Sequence, residues 1–171
     1  MYTAQTYFDQ AVSATEKDSL YTLSLHGDDN KFGMLDIADI YAGTKAGNLA
    51  NYYAGMAYMN MKNYANAIEY LNAFSAGDDV LGPIAKGGIG DAFVQLEQLE
   101  DAYDYYVQAS QLKINNYTTP MYLYKAGVLG LKIGENNKAL NFFESIKANF
   151  PESTEAKNID VFIGKARALI K

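Results

Sequence analysis

Tyr52 to Phe74, YYAGMAYMNMKNYANAIEYLNAF, is the stretch that decides the fold. Counting from Gly55, an aromatic stands three places on (Tyr58), another nine on (Tyr64), an alanine twelve on (Ala67), and bulky apolar residues sixteen and nineteen on (Leu71, Phe74). From Gly90 the same offsets hold Phe93, Leu99, Ala102, Tyr106 and Ala109. From Gly127 they hold Gly130, Asn136, Ala139, Phe143 and Ile146, and Pro151 follows. The three glycines lie 35 and 37 residues apart. A period of that length marks stacked helical units, each too small to bury its apolar face alone. The glycine belongs mid-helix, where a side chain would hold two helices apart, a gain that must outweigh the roughly 1 kcal/mol that glycine costs a helix. The alanine is its small partner on the second helix of the unit.

These places resemble those of the tetratricopeptide repeat, a helix-turn-helix unit, and the resemblance covers roughly residues 44 to 151. It implies an all-α, right-handed solenoid of three helix pairs, with units at about 44–78, 79–115 and 116–151. The periodicity predicts the pairs at 44–60 with 63–75, 80–96 with 98–111, and 118–133 with 135–149. After Pro151, Ala156, Ile159, Phe162, Ile163 and Ala166 recur on one face, giving a capping helix within 152–171, with Ser153 and Thr154 as candidate caps. Residues 1–43 form an N-terminal helical segment. TAQTYFDQAVSAT reads as one helix and KFGMLDIADIYAG as another, with SLHGDDNK a polar turn between them.

Composition narrows the function. The chain has 171 residues, 49% of them apolar, a mean hydropathy of -0.19 and a net charge of -6. An acidic chain of pI about 4.7 lacks the basic footprint of a nucleic-acid binder. No apolar run is long enough to span a bilayer, so no membrane insertion is expected of the chain as given. Without cysteine there is no thiolate nucleophile and no cysteine zinc site, and a single histidine, His26, rules out a histidine-rich metal centre. Fifteen tyrosines and no tryptophan are the unusual entries in the composition. Charge is uneven: residues 1–110 carry five lysines against fifteen carboxylates, residues 111–171 nine basic against five acidic groups. That polarity suits an anionic partner at the C-terminal end or head-to-tail association, and it is also what an ordinary solvated surface can show.

Three motifs invite a chemical reading. KGGIGDA, Lys86 to Ala92, is glycine-rich, but a P-loop needs lysine and then a hydroxyl after its second glycine, and the dinucleotide pattern needs glycine where Phe93 stands. HGDDNKFGMLDIAD puts Asp28, Asn30, Gly33, Asp36 and Asp39 at calcium-loop offsets but has Phe32 at the fifth and Asp at the twelfth, so a polar turn and an acidic helix start is the simpler reading. Glu97, Glu100, Asp101 and Asp104 span a helix-helix turn, where solvation suits them better than acid-base work. No catalytic residues, cofactor or metal are therefore assigned, and the expected class is non-enzymatic.

The resemblance implies a protein-binding scaffold whose concave surface is lined by the first helix of each pair. The first pair contributes Leu49, Tyr52, Met56 and Met59. The second contributes Ile84, Gly87, Asp91 and Val94, and the third Met121, Tyr124, Val128 and Leu131. The lysine, arginine and asparagine clamp of repeat proteins that grip a chaperone's acidic C-terminus is missing at these places. An apolar groove bearing methionine and tyrosine suits an apolar or amphipathic polypeptide. Gly87, three residues before Gly90, is expected to leave a low-relief place where a ligand backbone comes close, so that Gly87→Leu weakens binding more than folding. The alternative is a structural, self-associating array whose groove is filled by its own N-terminal helices or by a second copy, a homodimer. The layout also resembles tetratricopeptide proteins of the bacterial cell envelope. On that reading a membrane anchor precedes Met1 and the compartment is the periplasm or envelope.

Overall fold

A computed structural model describes residues 1–28 and 30–170. Among the described residues ten α-helices run in chain order: α1 (Tyr2–Ser13), α2 (Asp18–His26), α3 (Met34–Ile40), α4 (Lys45–Asn60), α5 (Tyr64–Ala73), α6 (Leu81–Gln95), α7 (Leu99–Leu112), α8 (Thr118–Ile133), α9 (Asn136–Asn149) and α10 (Ile159–Leu169). Two short strands, β1 (Gly27–Asp28) and β2 (Lys31–Phe32), form an antiparallel hairpin. The chain divides into two compact units, Met1–Ser75 and Ala76–Lys171. Among the described residues no helix is long and apolar enough to cross a membrane.

The expected helix pairs are present as α4–α5, α6–α7 and α8–α9. Each first helix is started by a polar side chain ahead of it. The Thr44 hydroxyl accepts from the Gly47 amide at 3.2 Å, Asp78 from the Leu81 amide at 2.6 Å, and Asn115 from the Thr118 amide at 2.7 Å. Pro83 and Pro120 stand third in α6 and α8, inside the first turn, where the missing amide hydrogen is no loss. Each pair turns through one residue at positive φ: Lys62 (60°), Glu97 (60°) and Gly134 (87°). The next residue's amide then reaches back to a carbonyl in the last turn: Asn63 to Tyr58, Gln98 to Phe93, Glu135 to Gly130.

The repeat glycines lie where the sequence puts them. A Cβ on Gly55 would come within 3.0 Å of the Leu71 side chain, one on Gly90 of the Tyr106 ring, and one on Gly127 of the Phe143 ring. Ala67, Ala102 and Ala139 are fully buried on the partner helices. In the second unit Tyr103, Tyr106, Tyr122 and Leu129 form one core cluster, and Phe143, Ile146, Ile159 and Ile163 another beneath α10. In the first unit Phe8, Tyr21, Leu25, Met34 and Ile37 pack with the alanines of α4.

The N-terminal segment corrects the expectation drawn from sequence. The stretch taken as a polar turn begins inside a third helix, α2, which holds Ser24, Leu25 and His26. Tyr21, Ser24 and Leu25 are buried, and the Ser24 hydroxyl donates to the Ala4 carbonyl at 2.8 Å, so a polar residue serves as a helix-helix contact. The true turn is the hairpin from Gly27 to Phe32, and its Asp29 lies outside the described residues. The capping helix starts later than expected. A short 3-10 segment, Glu155–Asn158, precedes α10, and the Ser153 hydroxyl accepts from the Ala156 amide at 3.2 Å. Lys171, the last residue of the expected capping helix, is likewise outside the described residues.

Candidate functional site

An apolar concavity of about 520 Å³ in the second unit lies between α8 and α10 and reaches Val94 of α6 and Tyr106 of α7. Tyr124, Val128 and Leu131 recur every three to four residues along α8, and Phe162, Lys165 and Leu169 do the same along α10, so two helical stripes face one space. Tyr124 meets Phe162 edge-on, with centroids 5.0 Å apart, and this aromatic contact joins the two walls. Val128 is 40% exposed, while Tyr124 and Leu131 on the same stripe are half-buried. Lys125, Lys132 and Lys165 also border the space, and among the described lining residues there is no carboxylate.

A polar network braces one side. The Asp91 carboxylate accepts from the Lys125 ammonium at 2.6 and 2.9 Å and from the Tyr106 hydroxyl at 2.6 Å. Lys125 also sits over the Tyr106 and Tyr122 rings, at 5.3 and 5.8 Å from their centroids, and those rings stack on each other. Burial, reinforced by the bond to Asp91, pushes the Tyr106 phenol well above its ordinary value and keeps it a donor. The network ties α6, α7 and α8 together through one carboxylate.

Four of the expected lining residues, Val94, Tyr124, Val128 and Leu131, meet in this groove. The others are placed differently. Asp91 belongs to the network just described, and Met121 packs against the α7–α8 core. Ile84, Leu49 and Met59 are half-buried outside the groove. In the first unit Met56 packs against the N-terminal core, and Tyr52 contacts the rings of Tyr53 and Phe74. Gly87 is not an open place on a surface. It is buried, and the position of its missing side chain is taken by the Tyr122 ring. Gly87 is therefore a packing glycine between α6 and α8, and Gly87→Leu strikes the core before it can act on binding. Residues that sequence reasoning missed are Tyr106, Lys125, Leu129, Lys132, Phe162, Lys165 and Leu169. Lys125 and Lys132 follow Tyr124 and Leu131 by one residue, so a count in the repeat register steps over them.

The motifs with chemical overtones resolve into structure. The Tyr7 hydroxyl donates to Asp28 at 2.7 Å, a bond that lowers the pKa of the carboxyl and raises that of the phenol, and Lys31 pairs with Asp28 at 3.4 Å. Asp36 accepts from the Gly33 amide at 3.1 Å and starts α3, and His26 is exposed at the end of α2. Among the described residues no three His, Cys, Asp or Glu side chains gather as a metal site. Glu100 and Asp101 lie exposed in the first turn of α7, where the helix dipole favours them.

The tetratricopeptide repeat family model matches residues 49–76 and 122–153, the first and third pairs. Among solved structures, the kinesin light chain nearly identical TPR-like repeats from Podosopora anserina superpose with a TM-score of 0.66 at 12% identity, over 98% of this chain and 83% of that one. The MamA protein superposes with a TM-score of 0.53 at 21% identity, over 98% of this chain and 87% of that one. A search of the curated proteins finds no match. With its glycine and alanine places filled as the repeat requires, the chain carries tetratricopeptide repeats and shares the all-α fold of the proteins built from them.

Proposed function

We propose that this chain is a non-enzymatic scaffold that takes an apolar or amphipathic polypeptide segment in the groove between α8 and α10. Tetratricopeptide-repeat proteins as a class are protein-interaction scaffolds, and the observation that carries the finer reading is the open apolar stripe Tyr124, Val128, Leu131 facing Phe162 and Leu169. From Tyr124 to Leu131 the stripe runs about 10 Å, two helical turns, and so fits three apolar side chains of a partner helix at i, i+4 and i+7. The α4 helix of the first unit is already served within its own unit. The Phe8 ring meets Tyr53 edge-on at 5.1 Å, and Gln5 donates to the Tyr53 hydroxyl at 2.8 Å. These contacts cover Tyr53 of α4 with α1, which supports the α8–α10 groove as the place for a partner.

The test is a titration of the full chain with a labelled amphipathic helical peptide carrying leucines at i, i+4 and i+7, read by fluorescence anisotropy. Val128→Asp places a carboxylate among apolar side chains and should weaken binding about tenfold or more. Binding indifferent to Val128→Asp removes the groove from consideration. The structural alternative has its own signature: sedimentation showing a dimer that Tyr124→Asp abolishes assigns the groove to self-association.

A further inference from the structure

The charged residues among the groove's described lining are all lysines. Lys132 and Lys165 are exposed at its edge, one on α8 and one on α10, and no carboxylate among the described residues forms an ion pair with either. The third lysine, Lys125, is held by Asp91. On α9 Lys138 pairs with Glu135 and Lys147 with Asp160, and on α10 Arg167 pairs with Glu144. Three carboxylates of this end of the chain, Glu135, Glu144 and Asp160, are thus engaged with other basic groups. Two ammonium groups thus stand on opposite walls of an apolar cleft with no ion pair among the described residues.

Resting on the groove reading above, we propose that the α8–α10 groove selects an acidic amphipathic helix, with an apolar stripe for Val128 and Leu131 and carboxylates flanking that stripe on both sides for Lys132 and Lys165. The argument is charge complementarity. An apolar stripe alone would accept a helix of any flanking charge, whereas a cationic rim raises the encounter rate of an anionic segment and penalises a cationic one. Because the two lysines sit on different helices, a partner with carboxylates along only one flank meets only one of them. The selectivity is salt-sensitive, since exposed pairs separated by about a Debye length are screened as ionic strength rises.

The experiment uses the full chain and two labelled helical peptides with the same leucine stripe, one flanked by glutamates and one by lysines, titrated at low and high salt. The glutamate peptide should bind about tenfold or more tightly than the lysine peptide at low salt, the gap closing at high salt. Lys132→Glu and Lys165→Glu should each cost the glutamate peptide about two- to fivefold, and the double variant should reverse the preference. Both residues are exposed, so an unchanged thermal melt is expected to accompany the change. Equal binding of the two peptides, with both lost in Val128→Asp, overturns the acidic selectivity while leaving the groove reading intact. Binding of both peptides unaffected by Val128→Asp overturns the groove itself. A single-chain anionic amphiphile such as dodecanoate that saturates the groove and displaces the glutamate peptide, with the peptide's own preference absent, overturns the proposal in favour of a lipid-like ligand.

Discussion

Gly90 and Gly164 show how one residue type serves opposite ends. Gly90 sits against the Tyr106 ring, which is backed by Asp91 and stacked on Tyr122, so the ring cannot yield. Gly90→Ala gains about 1 kcal/mol of helix propensity but overpacks that contact at a cost of about 1–3 kcal/mol, and urea denaturation should show a net loss. Gly164 lies within α10 with nothing within 4 Å of an added Cβ. Gly164→Ala should therefore raise stability by up to about 1 kcal/mol in the same assay. Tyr106 supplies a pH prediction. Its folded pKa is raised, so the native state keeps a proton that the unfolded state releases above the ordinary value of 10.0. The stabilisation is complete below that pH and is lost as pH climbs beyond it. Thermal melts from pH 8 upward should fall with rising pH, and Tyr106→Phe should make the fall shallower. Buried Tyr21 and Tyr103, also shifted upward, leave part of the slope in place.

Among elements, the three intra-pair turns ask for the same backbone and receive different residues. Lys62 and Glu97 hold a left-handed conformation that Gly134 takes without steric cost. Glu97→Gly should stabilise the α6–α7 pair by about 0.5–1 kcal/mol, and Gly134→Ala should destabilise α8–α9 by about 1 kcal/mol, both read by chemical denaturation. The helix pairs were legible in sequence because each depends on local spacing: a glycine, an alanine twelve residues on, and an aromatic behind them. The α2 helix was not legible, because DSLYTLSLH is short and its buried Ser24 makes sense only with the Ala4 carbonyl beside it. Polarity within nine residues looks like a turn until a neighbouring helix supplies the missing partner.

For the whole molecule, the division at Ser75 and Ala76 places the first repeat pair with the N-terminal helices and the other two pairs with α10. The described residues lining the groove run from Val94 to Leu169. Since repeat units are stabilised by their immediate neighbours and this unit has two core clusters of its own, the fragment 76–171 should keep its helical circular dichroism and bind the amphipathic peptide within about twofold of the full chain. Loss of helicity in the fragment would show that the second unit depends on the first to fold.

The sequence by itself determined the all-α repeat, the three pairs and their packing glycines. Those features follow from periodicity, and periodicity is a property of neighbours along the chain. It also marked Val94, Tyr124, Val128 and Leu131 as a common surface. What only the tertiary structure decided is what else meets them. Phe162 and Leu169 arrive from α10, Lys132 and Lys165 flank the stripe with no ion pair among the described residues, and Asp91 is drawn into a bond with Tyr106 and Lys125. Gly87 was the sharpest reversal: its spacing put it on the groove, and the Tyr122 ring from α8, thirty-five residues on, covers it. Repeat spacing says which face of a helix a residue shares, whereas burial depends on a side chain that another helix brings.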